Sequence, residues 1–218
     1  MESSAAPEQS AAETLKHVEA LDRVQRDLES LEDEATEKVL ELQAEYNRKK
    51  RPLYEKRANV LRAIPEFWYI TLAADPLVGQ MIQERDVPLL KQLRELQVSF
   101  KDAVKDGFRV SFHFDANDFL DMTPCVLELR FEWNERGVLE ITRREAVWKA
   151  GRDLSAPTAE QSAKAWNDGE KAESFFGWYA GSSAEHRSVC QHIAENIWPN
   201  PDQIFALALA EEDGGNIE

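Results

Sequence analysis

The sequence predicts an α+β fold in which a long N-terminal helix precedes an antiparallel sheet with flanking helices. Three observations support this prediction. A glycine-free stretch, residues 11–63, carries apolar residues at helical spacing. Residues 107–148 contain two runs in which apolar and polar residues alternate, as they do in half-buried strands. Residues 175–209 then return to helical spacing, and helices that follow the strands rather than alternate with them are typical of the α+β class.

The long helix is predicted over residues 13–63, after a small and polar stretch at 1–12 that we expect to be disordered. Apolar residues spaced by three and four form a seam over more than three heptads, which predicts the pairing of two long helices. Such a helix is about 75 Å long, more than one small domain can cover, so we expect a homodimer. Pro52 removes a backbone hydrogen bond and predicts a kink near Arg48. The predicted dimerisation residues are Leu21, Val24, Leu28, Leu31, Ala35, Val39, Leu42 and Tyr46.

Residues 64–210 are predicted to form the α+β domain. In the run GFRVSFHFDA, apolar and polar residues alternate from Phe108 to Phe114, which predicts a strand with one buried face. The run PCVLELRFEW repeats this alternation, and NERG at 134–137 is a good hairpin turn that leads the chain back toward Trp148. Before these strands, the spacing of four leucines predicts a short helix, with strand-like character following around Val98 and Phe100. The leucines are Leu89, Leu90, Leu93 and Leu96.

The end of the domain is marked by a WPNP corner. Residues 151–171 are small and polar, which predicts a mobile loop before an aromatic cluster at 175–179. An amphipathic helix through Ile193 and Ile197 should then end at the corner, because proline ends helices and biases the preceding residue toward extended backbone. We expect the corner to fold the next apolar residues back under the sheet, so that a short acidic tail, 211–218, leaves the domain at a fixed point. Those apolar residues are Ile204, Phe205, Leu207 and Leu209.

The composition favours a soluble, intracellular protein with a basic partner. The net charge of the 218 residues is −15, and residues 63–218 hold 27 acidic and 15 basic side chains, a net charge of −12. Sequence-specific contact with nucleic acid and binding to anionic membranes are therefore not expected. Acidity that only keeps the protein in solution is the alternative. Cys125 and Cys190 lie within apolar patterns and are expected to be reduced core residues.

No enzyme signature is present, so no catalytic residue, cofactor or metal is predicted. The chain lacks a glycine-rich phosphate loop, HExxH, CxxC and a nucleophile elbow. His113 and Asp115 share a strand face, but no nucleophile accompanies them, which favours a solvated face. His186, Cys190 and His192 do not share one helical face, which argues against a metal site. The basic run at 48–57 is either a nuclear import or nucleic-acid contact, or the solvated face of the helix.

Five blocks of the sequence resemble, in order, the signature blocks of the nucleosome assembly protein family. They are IPEFWYITLAADPLV (64–78), GFRVSFHFDAN (107–117), VWKAGRDL (147–154), ESFFGWY (173–179) and ENIWPNPDQIFAL (195–207). The short connection between Pro76 and Gly107 is similar to the SET-type branch. The resemblance implies a homodimer joined by long antiparallel helices, with an α+β "earmuff" domain at each end. It also implies a nuclear, non-enzymatic histone chaperone.

Core histones are the partners that the resemblance implies, with the H3–H4 pair expected first and the other core-histone pair as an alternative. A scaffold that activates a histone acetyltransferase and a phosphatase regulator are competing roles that the SET-type branch suggests. Relatives carry a long acidic tail, whereas only EEDGGNIE follows here. From charge and position, we expect histone contacts at Asp115, Asp118, Asp121, Glu128, Glu132, Glu140, Glu173, Asp202, Glu211, Glu212 and Asp213.

Overall fold

The computed structural model describes residues 6–100, 107–133, 139–156, 174–181 and 184–214. The chain divides into two compact units, Met1–Lys49 and Lys50–Glu218, which are described separately. The first is helical throughout its described part, and the second holds a four-stranded sheet and the remaining helices. The predicted α+β fold class is confirmed. No helix in the described part of the chain is both long and apolar enough to span a membrane.

Helix α1 spans Ala6–Leu61. Its sequence favours a helix because glycine is absent and good helix formers dominate. Ion pairs one turn apart, such as Glu34–Lys38 at 2.5 Å, each stabilise the helix by about 0.2–0.5 kcal/mol. The helix begins earlier than predicted, and residues 1–5 of the stretch expected to be disordered lie outside the described residues. Pro52 lies inside the helix, and the kink expected there stays a prediction.

The segment after α1 differs from the prediction of one short helix through the four leucines. Helix α2 spans Phe67–Ala74 and helix α3 spans only Val87–Leu90, while Leu93 and Leu96 lie in strand β1. Both leucines are buried although they are three residues apart. The pairing of β1 with β2 shifts between Leu93 and Glu95, and the extra residue of such a bulge brings both side chains to one face. A spacing of three therefore looked helical in the sequence.

Four antiparallel strands form a sheet in chain order, β1 to β4. They span Leu93–Phe100, Phe108–Phe114, Val126–Trp133 and Leu139–Arg143. The predicted alternation is confirmed, because Val110 and Phe112 in β2 are fully buried and Leu127, Leu129 and Phe131 of β3 are buried on the same face. The predicted turn at 134–137 lies outside the described residues; β3 and β4 pair on either side of it.

Aromatic residues from helix α4, Phe175–Ala180, cover the buried face of the sheet. Phe175 lies edge-on to Phe112 at 5.7 Å between ring centroids. Ser174 caps this helix by accepting the Gly177 amide at 3.1 Å, and the buried Asp86 carboxylate accepts the Phe175 amide at 3.0 Å. Two polar side chains thus satisfy the first amides of the helix. The loop predicted at 151–171 lies outside the described residues from 157 onward.

The WPNP corner forms as predicted. Helix α5, Ala184–His192, continues into a π-helical segment, Ile193–Ile197, and helix α6 begins at the second proline and spans Pro201–Gly214. The Trp198 side chain is 5% exposed, and its indole Nε1 donates to the Leu96 carbonyl at 3.0 Å. The Arg57 guanidinium donates to the carbonyl oxygens of Trp198 and Pro199 at 2.8 and 2.9 Å. The corner is therefore tied both to strand β1 and to the end of α1.

The residues after the corner pack differently from the prediction. Phe205 lies 4.7 Å from Phe67 of α2, between ring centroids, so this segment covers α2 rather than the underside of the sheet. Leu207 and Leu209 are 67% and 42% exposed, and the prediction that they are buried is wrong. A helix cannot turn all of IFALALA to one side, because each residue is rotated by about 100° from the one before it, and seven consecutive side chains therefore point all around the axis. Helix α6 also includes residues 211–214 of the predicted tail; 215–218 lie outside the described residues.

Of the two cysteines predicted to be in the core, only Cys190 is fully buried. Both side chains are free thiols, with Cys190 buried and Cys125 half-buried. Burial raises the pKa of the Cys190 thiol, so this side chain stays protonated and unreactive at neutral pH.

Candidate functional site

Two surfaces contain the predicted site residues: the seam of helix α1 in the first unit, and the acidic residues of the second unit. In the seam, all eight predicted dimerisation residues are exposed on the single chain. Among the large ones, the exposed fraction runs from 49% for Leu28 to 65% for Leu21. Apolar surface left in water is unfavourable by about 25 cal/mol per Å². A partner helix that covered this row would remove its apolar surface from water and so form a stable pair with α1.

Three of the predicted acidic residues lie in the segment between strands β2 and β3. The Asn117 side chain organises this segment, because its Oδ1 accepts the amides of Phe119 and Leu120 at 2.9 and 2.8 Å. This turn leaves Asp118 and Asp121 exposed. Within the part of the chain that the structure describes, neither of these two carboxylates forms an ion pair. Both charges are therefore available to a partner.

Asp115, the third of these residues, has a partner within the chain. Its Oδ1 lies 2.8 Å from the Arg94 guanidinium, and both side chains are about half exposed. The hydrogen bond from Arg94 to Asp115 raises the pKa of Arg94. Exposed ion pairs of this kind contribute little to stability, on the order of 0–1 kcal/mol. The pair nonetheless neutralises Asp115, which makes it a weaker candidate for histone contact than Asp118 and Asp121.

The predicted acids of the β3–β4 hairpin lie on the polar face of the sheet. Glu128 is held by two arginines, at 2.6 Å from Arg130 and 3.6 Å from Arg109, so its charge is compensated. Glu132 and Glu140 are directly opposite each other across the two strands.

The remaining predicted acids are near the C-terminus. Asp202 is exposed in the first turn of helix α6, where a negative charge interacts favourably with the helix dipole. Glu211 is exposed in the same helix. Glu212 and Asp213 belong to its last turn, but their side chains lie outside the described residues, and Glu173 lies outside them entirely.

The histidines that could suggest catalysis or metal binding have structural environments instead. Burial lowers the pKa of His113, and its Nε2 has no hydrogen-bond partner in the described part of the chain, whereas the Asp115 carboxylate pairs with Arg94. His192 lies 2.8 Å from the carboxylate of Asp75, which also accepts two backbone amides. Among the described residues, no group of three or more metal-ligating side chains is present.

Comparison with known proteins identifies the family. A family model described as "Nucleosome assembly protein (NAP)" matches residues 59–204. The chain belongs to the nucleosome assembly protein family. Members of this family are non-enzymatic histone chaperones that dimerise. The absence of a catalytic constellation from the sequence agrees with this membership.

The relatives support the resemblance to the SET-type branch. NAP1-related protein 1 of Arabidopsis thaliana is 32% identical over 213 residues, which cover 94% of this chain and 82% of the relative. Protein SET of Drosophila melanogaster is 28% identical over 201 residues, covering 87% and 73%. The solved structure of nucleosome assembly protein S from Plasmodium falciparum has a TM-score of 0.69 at 23% identity, covering 86% of this chain and 99% of that one. At this identity, the structural likeness shows the family's fold.

Proposed function

We propose that this chain is a nuclear histone chaperone that works as a homodimer and carries core histones, the H3–H4 pair in particular. The observation that supports this proposal most strongly is the uncompensated charge of Asp118 and Asp121 on a folded unit that is acidic overall. Two of the other predicted acids are compensated, Asp115 by Arg94 and Glu128 by Arg109 and Arg130. A basic protein would therefore meet free carboxylates at the segment between β2 and β3.

The proposed action is the shielding of histone charge. Basic proteins bind DNA largely through the release of counterions, so a competing acidic surface lowers the tendency of histones to collapse onto DNA. Contacts between exposed charges are weakened by salt and can break rapidly. Such contacts suit a carrier that must release histones to a forming nucleosome.

The charge along α1 supports the proposed antiparallel dimer. The exposed apolar residues extend from Leu15 to Val60. Residues 15–37, the first half of this range, hold eight acidic and three basic side chains, whereas residues 38–60 hold three acidic and seven basic ones. An antiparallel pair places the acidic half of each helix beside the basic half of its partner, whereas a parallel pair places like charges together. Two histone-binding units at the ends of such a dimer would also bind one cargo with avidity.

The proposal is tested by titrating core histones against wild-type protein and the variant Asp118→Lys/Asp121→Lys. Asp115 is left unchanged because its loss would also free Arg94. We expect weaker binding of the variant at low salt and a smaller difference at high salt, since salt screens exposed charges. The matched control, Glu84→Lys/Glu195→Lys, makes the same change in charge at two other exposed acids of the same unit.

Three comparisons complete the test. Equal losses in the Asp118/Asp121 variant and its control would show that net charge alone matters, and would contradict the proposed contact. Titrations with the H3–H4 pair and the other core-histone pair decide the preferred cargo. A pull-down that includes an acetyltransferase and a phosphatase distinguishes chaperoning from the scaffold and regulator roles.

A further inference from the structure

We propose that the outer face of helix α6 is a second contact for core histones, in which apolar side chains contribute beside acidic ones. This inference rests on the proposed function and extends it to a surface where charge is not the only attraction. The outer face is defined as the exposed side of α6: Asp202, Gln203, Ala206, Leu207, Leu209, Ala210 and Glu211.

Helix α6 has a clear inner side, which packs on the folded unit. Pro201 is buried, and Ile204, Phe205 and Ala208 are half-buried. Phe205 lies 4.7 Å from Phe67 of α2, between ring centroids. The inner side is thus already occupied, and the opposite side is the one that a partner can reach.

Most of the outer face is apolar, although the polar side chain of Gln203 is also exposed on it. At about 100° per residue, Leu207 and Leu209 lie roughly 160° apart around the helix, with Ala206 and Ala210 between them on the exposed arc. The two leucines are 67% and 42% exposed. Small residues between two leucines allow a partner segment to approach the helix closely. Burial of an exposed leucine side chain against a partner removes apolar surface from water and so stabilises a complex.

The charge of α6 indicates which partner fits. Between Pro201 and Gly214 the helix has four acidic residues and no basic one. A second copy of the same helix would bring like charges together on this face, which disfavours self-association. A basic, amphipathic segment of a histone offers both opposite charge and apolar surface. Because salt weakens only the charged contacts, this face should give binding that partly survives at high salt.

The test compares Leu207→Gln/Leu209→Gln with a matched control, Leu77→Gln/Val147→Gln. The control changes two exposed apolar residues of the same unit outside α6, which are 43% and 51% exposed. We expect the α6 variant to bind core histones roughly tenfold more weakly, which corresponds to about 1.4 kcal/mol, at both low and high salt. The control should lose less than about twofold in affinity. Thermal melts should show that both variants are folded, since all four side chains are exposed.

The outcomes separate this inference from the function on which it rests. Absence of histone binding by the wild-type protein would overturn the proposed function itself. Wild-type affinity in the α6 variant at both salt concentrations would overturn only the contact at α6. A change of oligomeric state in the α6 variant, measured by light scattering, would instead assign the face to a contact between copies and would also overturn the inference.

Discussion

Replacement of Trp198 by alanine should strongly destabilise the folded unit. The side chain is 5% exposed, and its ring centroid lies 4.3 Å from that of Tyr54. Truncation of a buried tryptophan to alanine costs about 3–5 kcal/mol through lost transfer energy and a cavity. The change also removes the Nε1 donor from the Leu96 carbonyl, and a buried acceptor left without a partner costs about 1–3 kcal/mol. The total is a large part of the 5–15 kcal/mol that is typical of a domain.

The assay is equilibrium unfolding in urea, followed by circular dichroism. Trp198→Phe is the informative intermediate, because it keeps an aromatic ring in the site and removes only the indole donor. We expect its midpoint to lie between those of the wild type and Trp198→Ala, and histone binding to fall only where the variant unfolds. A wild-type midpoint for Trp198→Ala would show that the Trp198 side chain does not stabilise the fold, and would instead favour a direct contact of Trp198 with a partner.

Three further predictions concern single residues of the second unit. Burial raises the pKa of Asp86, so its contribution to stability is present at low pH and is lost as the pH rises through that pKa. Asp86→Asn should therefore lose less stability than the wild type between acidic and neutral pH, as measured by urea titration. An unchanged pH dependence of stability in this variant would contradict the prediction. Gly107 has φ of 104°, and an added Cβ would lie 1.7 Å from the Phe131 carbonyl oxygen, so Gly107→Ala should lower the free energy of unfolding by more than about 1 kcal/mol. Burial raises the pKa of Tyr179 to about 12; absorbance titration should show one tyrosine that ionises above the others and that disappears in Tyr179→Phe.

Strand alternation and proline positions allowed most of the fold to be predicted. The face of β2 that contains Val110 and Phe112 followed from a period of two, and the end of the helix near Trp198 followed from the two prolines. The failures occurred where the period was ambiguous. A bulge in β1 gave Leu93 and Leu96 a helical spacing, and the leucines after the corner formed a helix whose two sides differ in burial.

The sequence predicted which acidic residues belong to the candidate site, but not which of their carboxylates are free and which are paired with arginine. Whether a carboxylate is free depends on the register of neighbouring strands, which sets the partner of each side chain. Glu128 is compensated because the register brings Arg109 close to it from β2, while Arg130 follows it on the same face of β3. No count of charges along the chain contains this information.

If free carboxylates on the folded unit shield histones from DNA, the protein should promote nucleosome formation in a plasmid supercoiling assay. Relaxed plasmid, core histones and the chaperone are mixed at moderate salt, and nucleosomes are counted from the supercoils that they leave. We expect supercoiling with the wild-type protein, and little with Asp118→Lys/Asp121→Lys although that variant remains folded and dimeric. Equal supercoiling by both proteins would contradict the claim.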